Sequence, residues 1–239
     1  MGSSTPEFQR PHHRAIGNLL ARLDAAFLDD AQCYFGGGTR IALALGEYRE
    51  SRGMDFLCAT REGFKKLRET ITQESLGAIA WRPLHLAREV RADSDGICTF
   101  VAVGEYKVKF EIVLEARIEL AGALDPLFNV PTPDIEYTIA EKFLANTDRG
   151  LDASTSFSDL VDLAFLAASR GQQEIRQGLL IAEGAYGTAV RRHLTLVLDQ
   201  VSADRLRVAG ALRALGVSDA VTLRRGIRML RRLAGDPVV

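Results

Sequence analysis

Cysteine is scarce in this chain. Three residues, Cys33, Cys58 and Cys98, make an odd number with no Cys-x-x-Cys pair among 239 positions. That excludes a disulfide framework and a cysteine-built zinc site, and it fits a reducing compartment. An excess of either charge is also lacking, since 30 Lys and Arg stand against 31 Asp and Glu for a formal net charge of −1. No global field draws such a molecule to nucleic acid or to a membrane, so any attraction must come from a local patch. No uninterrupted apolar run reaches the roughly 18 residues of a membrane span, and the opening stretch MGSSTPEFQRPHHRA has no apolar signal core. The expectation is a soluble, cytoplasmic protein with no membrane partner. The four histidines, His12, His13, His85 and His193, show no metal-ligand spacing, and His12 and His13 are expected in a mobile N-terminal tail. The Walker pattern GxxxxGK[ST], the GxGxxG fingerprint and the hydrolase triads are missing as well.

What is present is enough apolar material, 47% of residues, to bury the core of one large or two modest domains. From Arg14 to Leu28 the apolar positions Ile16, Leu19, Leu20, Leu23, Ala26 and Phe27 recur at helical spacing. CYF then reads as a short strand stopped by Gly36, Gly37 and Gly38, after which Thr39 is expected to cap a helix that Gly46 ends. MDFLCA, HLAREVRA, GICTFVAV and YKVKFEIVL read as strands, and TREGFKKLRETI as a helix capped by Thr60. In the last strand Lys107, Lys109 and Glu111 fall on one face, with Val108, Phe110 and Ile112 on the other. Beyond NVPTPD only helical periodicity is evident, in six segments from Ile135 to Ala234. The expected fold is therefore α+β, a small mixed sheet flanked by helices over residues 1–130 and a helical domain over 131–239.

The stretch FGGGTRIALALGEYRESRGMDFLC, Phe35 to Cys58, brings a glycine turn, a helix, an Arg-x-Ser and a strand-borne acid close together. Amides exposed by a glycine turn at a helix start form a seat for phosphate oxygens, although many such turns only turn. Asp55 lies among apolar neighbours, where a carboxylate must be held. A hydrogen bond to the turn, an ion pair with Arg49 and a divalent metal each meet that need. Glu111 raises the same question from another strand. Two acids at one end of a sheet, facing a glycine turn, would suit Mg²⁺ bridging nucleotide phosphates. Lys142 lies on an amphipathic helix, and Asp159 and Asp162 share a face of the next, either as chemistry or as a surface lysine and a first-turn acid.

GGT followed by an apolar helix, then GEYRES, MDFL, Glu111 in KVKFEIV, IAEKFLANTDRG and FSDLVDLAFL resembles the AbiEii/AbiGii-type toxin nucleotidyltransferases, of the polymerase-beta-like nucleotidyltransferase superfamily. The resemblance runs from Ala15 to Arg170. It implies the same fold, a nucleotidyltransferase-like sheet domain before a helical half. It also implies a nucleoside triphosphate substrate held by Gly37, Gly38 and Thr39 with Arg49 and Ser51, and Mg²⁺ or Mn²⁺ held by Asp55 and Glu111. Lys142 is then expected at phosphate, and Asp55, Lys142 and Asp159 as catalytic residues. The transferred nucleoside monophosphate would go to RNA, for MenT-type members the 3′ end of tRNA, or to a protein. The expected setting is a toxin–antitoxin or phage-defence pair with a cognate antitoxin.

One position departs from that pattern. Where the family carries Asp-x-Asp after Arg-x-Ser, this chain has Gly53 and Asp55, so the first metal carboxylate is missing. Alternation would have pointed both acids to one side of the strand. The loss implies weaker metal binding and slower transfer, with nucleotide binding retained, and it leaves open a nucleotide-binding pseudoenzyme that acts through a partner. A third reading is an α+β domain in which the turn and Asp55 serve only packing. Near the C-terminus Arg224, Arg228, Arg231 and Arg232 form a stripe on one helix, and Arg191, Arg192 and His193 a smaller group, each either a phosphate grip or a solvated face.

Overall fold

A computed structural model describes residues 8–235 of the chain; residues 1–7 of the opening stretch and 236–239 lie outside the described residues. The chain divides into two units. Among the described residues, one holds those up to Glu47 together with Ser51–Asp134, and the other holds Tyr48–Glu50 together with those from Ile135 onward. The sequence set the change at residue 131. In the structure Val130–Pro133 pair as a strand of the first unit, and Tyr48–Glu50 join the second.

The first unit runs α1 (Pro11–Leu20), α2 (Ala25–Asp30), β1 (Cys33–Gly36), α3 (Gly37–Ala44), β2 (Gly53–Cys58), α4 (Arg61–Thr70), β3 (Leu86–Ala92), β4 (Gly96–Val103), β5 (Tyr106–Leu114), β6 (Gly122–Asp125) and β7 (Val130–Pro133). Five strands form a mixed sheet in the order β1-β2-β5-β4-β3, with β2 and β5 parallel and the other pairs antiparallel. β6 and β7 form a separate antiparallel ribbon. The alternation read in β5 holds: Val108, Phe110 and Ile112 are wholly buried while Lys109 and Glu111 are part-exposed. On the buried face Phe35, Phe56 and Phe110 pack in a row with ring centroids 5.4 Å apart. Truncating one such ring typically costs about 3–5 kcal/mol, so this row fixes which way each strand faces.

The expected single helix from Arg14 to Leu28 is two helices. The first ends at Leu20, and Asp24 starts the second by drawing the Phe27 amide onto its carboxylate at 3.0 Å, while its own amide bonds the Ile79 carbonyl. Periodicity carried through the break because Leu23 and Leu28 are both buried in the same core. α1 also begins earlier than expected, with Pro11 at its first position, where proline's missing N–H is no loss. His12 and His13 therefore lie in a helix and not in a tail, with His13 wholly buried.

The second unit is helical among the described residues: α5 (Ile135–Arg149), α6 (Ser158–Ser169), α7 (Gln172–Tyr186), α8 (Ala189–Ala203), α9 (Arg205–Ala214) and α10 (Ala220–Gly235). α6 is apolar almost all round, with Leu160, Val161, Leu163, Phe165 and Leu166 buried. Gly226 lets α10 cross close to α6, since a Cβ there would fall 1.8 Å from the Ala164 carbonyl oxygen. No helix among the described residues is long and apolar enough to cross a membrane.

Candidate active site

β1 runs without a loop into α3, and the junction is the glycine turn. Gly37 has a left-handed backbone, φ +67°, and a Cβ on it would lie 2.5 Å from Asp55 Oδ2. Glycine is needed twice over here, for the backbone and for the close approach of the carboxylate. In β2, Asp55 pairs with Gly36 on one side and with Glu111 of β5 on the other. Side chains of directly paired residues leave a sheet on the same face, and neighbouring strands lie roughly 4.8 Å apart. Asp55 and Glu111 thus stand side by side, opposite the phenylalanine row and beside the turn. The amide-bearing start of α3 also favours a nearby negative charge. These are the residues the sequence singled out, and the first unit brings them together.

The same face carries a cation. Lys109 pairs in register with Gly53, and its ammonium lies 2.7 Å from Glu111 Oε2. Burial works against the Lys109 charge, but the hydrogen bond to Glu111, with further attraction from Glu111 and Asp55, holds its pKa above the ordinary lysine value. A Cβ at Gly53 would meet the Lys109 carbonyl at 3.7 Å, Lys109 Cβ at 3.8 Å and Asp55 Oδ1 at 3.9 Å, all ordinary contacts. A side chain fits there, and it would join the acidic face. Two carboxylates match the way Mg²⁺ or Mn²⁺ is held jointly with phosphate oxygens. Among the described residues no group of three or more His, Cys, Asp or Glu is arranged to hold a metal by itself.

Thr39 is not the side-chain cap of α3. The N-cap position is Gly36, with no side-chain bond. The Thr39 hydroxyl lies 2.5 Å from the Gly53 carbonyl, which can only accept, so Thr39 donates there and the Ser51 hydroxyl, 2.6 Å away, donates to Thr39. Both hydroxyls are thereby engaged in holding the loop that enters β2. That loop is fastened again from α1. The Ser51 amide donates to His13 Nε2 at 3.0 Å, and His13 Nδ1 meets Glu47 Oε1 at 2.7 Å. Because Nε2 accepts, the proton of the neutral ring sits on Nδ1. Burial lowers the His13 pKa against the opposing pull of Glu47, which keeps the ring neutral. Glu47 also accepts the Gln9 and Arg10 amides at 2.6 and 3.0 Å, capping α1 from outside the helix. Sequence reasoning missed His13 and Glu47. Pro11 at a helix start was the available sign that His13 lies in a helix.

In the second unit Arg49, Lys142 and Asp159 are brought together around Asp162. Asp162 is fully buried and accepts from Arg49 Nε at 2.6 Å, Arg49 Nη2 at 2.9 Å and the Tyr48 hydroxyl at 2.5 Å, with Lys142 Nζ at 2.8 Å. Lys142 also binds Asp159 Oδ1 at 2.9 Å, and Arg149 binds Asp159 through Nε and Nη2. The Tyr48 ring stacks on Phe165 at 3.9 Å between centroids. Arg49 therefore pairs with Asp162, and the alternative of an Arg49–Asp55 ion pair is set aside. Burial would raise both carboxyls, but Arg49 and Lys142 hold Asp162 below the usual carboxylate range, and Lys142 and Arg149 do so for Asp159. Of the basic groups, Arg231 is engaged with Asp199, Ser202 and the Leu198 carbonyl, and Arg191 with Glu183 and the Leu233 carbonyl. These contacts brace α10 against α8 and α8 against α7. Arg224, Arg228 and Arg232 are exposed.

Residues 18–222 match the model of the family described as nucleotidyl transferase AbiEii toxin, Type IV TA system. No curated protein matches the chain. Among solved structures, JHP933 from Helicobacter pylori is similar over 95% of this chain and 94% of its own, at 16% identity and a TM-score of 0.54, a likeness of fold. MenT4, a nucleotidyltransferase toxin from Mycobacterium tuberculosis H37Rv, matches over 95% of this chain and 87% of its own at 20% identity, with a TM-score of 0.46.

Proposed function

Because the chain belongs to the AbiEii nucleotidyl transferase toxin family, we propose that it binds a nucleoside triphosphate at the Gly37–Gly38 turn and transfers the nucleoside monophosphate to an acceptor hydroxyl. The observation that carries this reading is the row Gly36, Asp55, Glu111 across three strands, with the Asp55 carboxylate against the turn. The turn amides and the start of α3 would receive the triphosphate. Asp55 and Glu111 would hold one divalent cation, Mg²⁺ or Mn²⁺, jointly with its oxygens. Such an ion supplies charge stabilisation at the phosphorus under attack. An acceptor oxygen bonds to the α-phosphorus as the bond to pyrophosphate breaks, and the acceptor proton leaves to a carboxylate of the acidic face or to water. RNA, with the 3′ end of tRNA foremost, is the proposed acceptor, and an antitoxin protein the proposed partner.

Thr39 and Ser51, whose hydroxyls are engaged with each other and with Gly53, contribute by fixing the loop into β2. For Arg49, Lys142 and Asp159 the ion network supports a positioning part, anchoring Tyr48–Glu50 in the helical unit.

A second reading has its own support. With glycine at position 53 and Lys109 on Glu111, the acidic face is short of negative charge, as in a protein that binds nucleotide and transfers it poorly. The test uses each labelled NTP with Mg²⁺ and total RNA, on this chain and on Gly53→Asp. The transferase reading expects label on RNA from one NTP, increased in Gly53→Asp. Label from neither chain, with a nucleotide-dependent rise in Tm, favours the pseudoenzyme. If neither label nor a shift in Tm occurs, both readings fall.

A further inference from the structure

We propose that Lys109 is a built-in counter-cation of the acidic face, competing with a divalent metal for Glu111, so that the metal enters as a complex with triphosphate and not alone. The inference rests on the reading of Asp55 and Glu111 given above. Its first support is register. Lys109 pairs with Gly53, and its Cβ lies 3.8 Å from where a side chain at 53 would begin. The position that lacks a carboxylate therefore has a lysine as its immediate cross-strand neighbour, with nothing between them. The second is contact. The Lys109 ammonium lies 2.7 Å from Glu111 Oε2 and on the same face as Asp55.

The Lys109 ammonium offsets part of the negative charge that Asp55 and Glu111 bring to that face, which weakens its lure for a bare dication. Mg²⁺ gives up its water reluctantly and is usually held by one or two carboxylates together with substrate phosphates. The side chains of Lys109 and Glu111 are 43% and 32% exposed, so their ion pair is of the weak, solvent-screened kind that an arriving metal–phosphate complex can displace. The freed ammonium would then have phosphate oxygens to bind. Lys109 so acts as a positioning residue for charge, present whether or not nucleotide is bound.

The test is Mn²⁺ binding by nucleotide-free protein, read from the electron paramagnetic resonance signal of free Mn²⁺ at fixed ionic strength. Wild type, Lys109→Met and Lys109→Met/Glu111→Gln are compared after circular dichroism shows all three folded. Lys109→Met should bind Mn²⁺ at least roughly tenfold more tightly than wild type, the scale on which one charge within about 4–6 Å shifts a neighbouring equilibrium. Adding Glu111→Gln should abolish that gain. Equal or weaker binding by Lys109→Met overturns the proposal, and so does a gain that survives Glu111→Gln. Thermal shift with each NTP and Mg²⁺ is a separate readout. If no nucleotide shifts any variant while Lys109→Met gains Mn²⁺, the transferase reading fails and the role of Lys109 stands.

Discussion

Asp162 is the most exacting position in the molecule to perturb. Its carboxylate is wholly buried and receives four donors: two from Arg49, one from Tyr48 and one from Lys142. In Asp162→Asn the shape is kept and the charge is lost. Lys142 retains Asp159 at 2.9 Å. Arg49, only 5% exposed, keeps the single amide oxygen, the Glu50 carbonyl and the edge of its cation–π contact with Tyr48, but loses its counter-charge and one of its two acceptors there. Breaking a buried pair from one side typically costs about 3–5 kcal/mol, because a buried charge is left uncompensated. Against a total stability of about 5–15 kcal/mol, that is a large fraction. Urea unfolding followed by far-UV circular dichroism, which reports mainly the helical unit, should show a loss of this size with an unchanged slope. The double variant Arg49→Met/Asp162→Leu removes charge and counter-charge together, and it should lose clearly less than Asp162→Asn, since apolar replacement of a whole buried pair is often near neutral. A loss under about 1 kcal/mol in Asp162→Asn, or a double variant no better than the single, would refute the account of Asp162 as the counter-ion of Arg49.

Three further outcomes are expected. Gly37→Ala should cost about 1–2 kcal/mol for the left-handed backbone and push the Asp55 carboxylate off the turn; it should also abolish any rise in Tm with NTP and Mg²⁺, and a variant that keeps the full nucleotide shift counts against the turn as the phosphate seat. The folded-state pKa of His13 is lowered from 6.5 by burial, so the unfolded chain takes up the proton first and stability should fall as pH drops below about 6.5, with Glu47, lowered from 4.5, adding to the loss at more acid pH; His13→Asn should flatten the upper part of that profile in pH-dependent thermal denaturation. Gly226→Ala should destabilise by about 1–3 kcal/mol or more, because its Cβ meets the fixed Ala164 carbonyl and not a movable side chain, and urea unfolding of the variant measures it.

The sequence by itself determined the elements that depend on short-range pattern. The alternation of β5, the Thr60 cap of α4, the glycine turn before an apolar helix and the helical second half are each written in neighbouring residues, and each is found. It also named Asp55 and Glu111, because an acid within an apolar strand is conspicuous without any structure. Only the tertiary structure decided that the two stand side by side, since register between strands more than fifty residues apart in sequence is set by packing of the phenylalanine row and not by either strand alone. Partner choice was decided there too. Arg49 turned to Asp162, His13 to Glu47 and the Ser51 amide, and Lys109 to Glu111 across from an empty glycine. A charged side chain seeks whichever opposite charge the fold brings within about 3–4 Å, and that distance is a property of three-dimensional proximity which residue spacing along a chain does not encode.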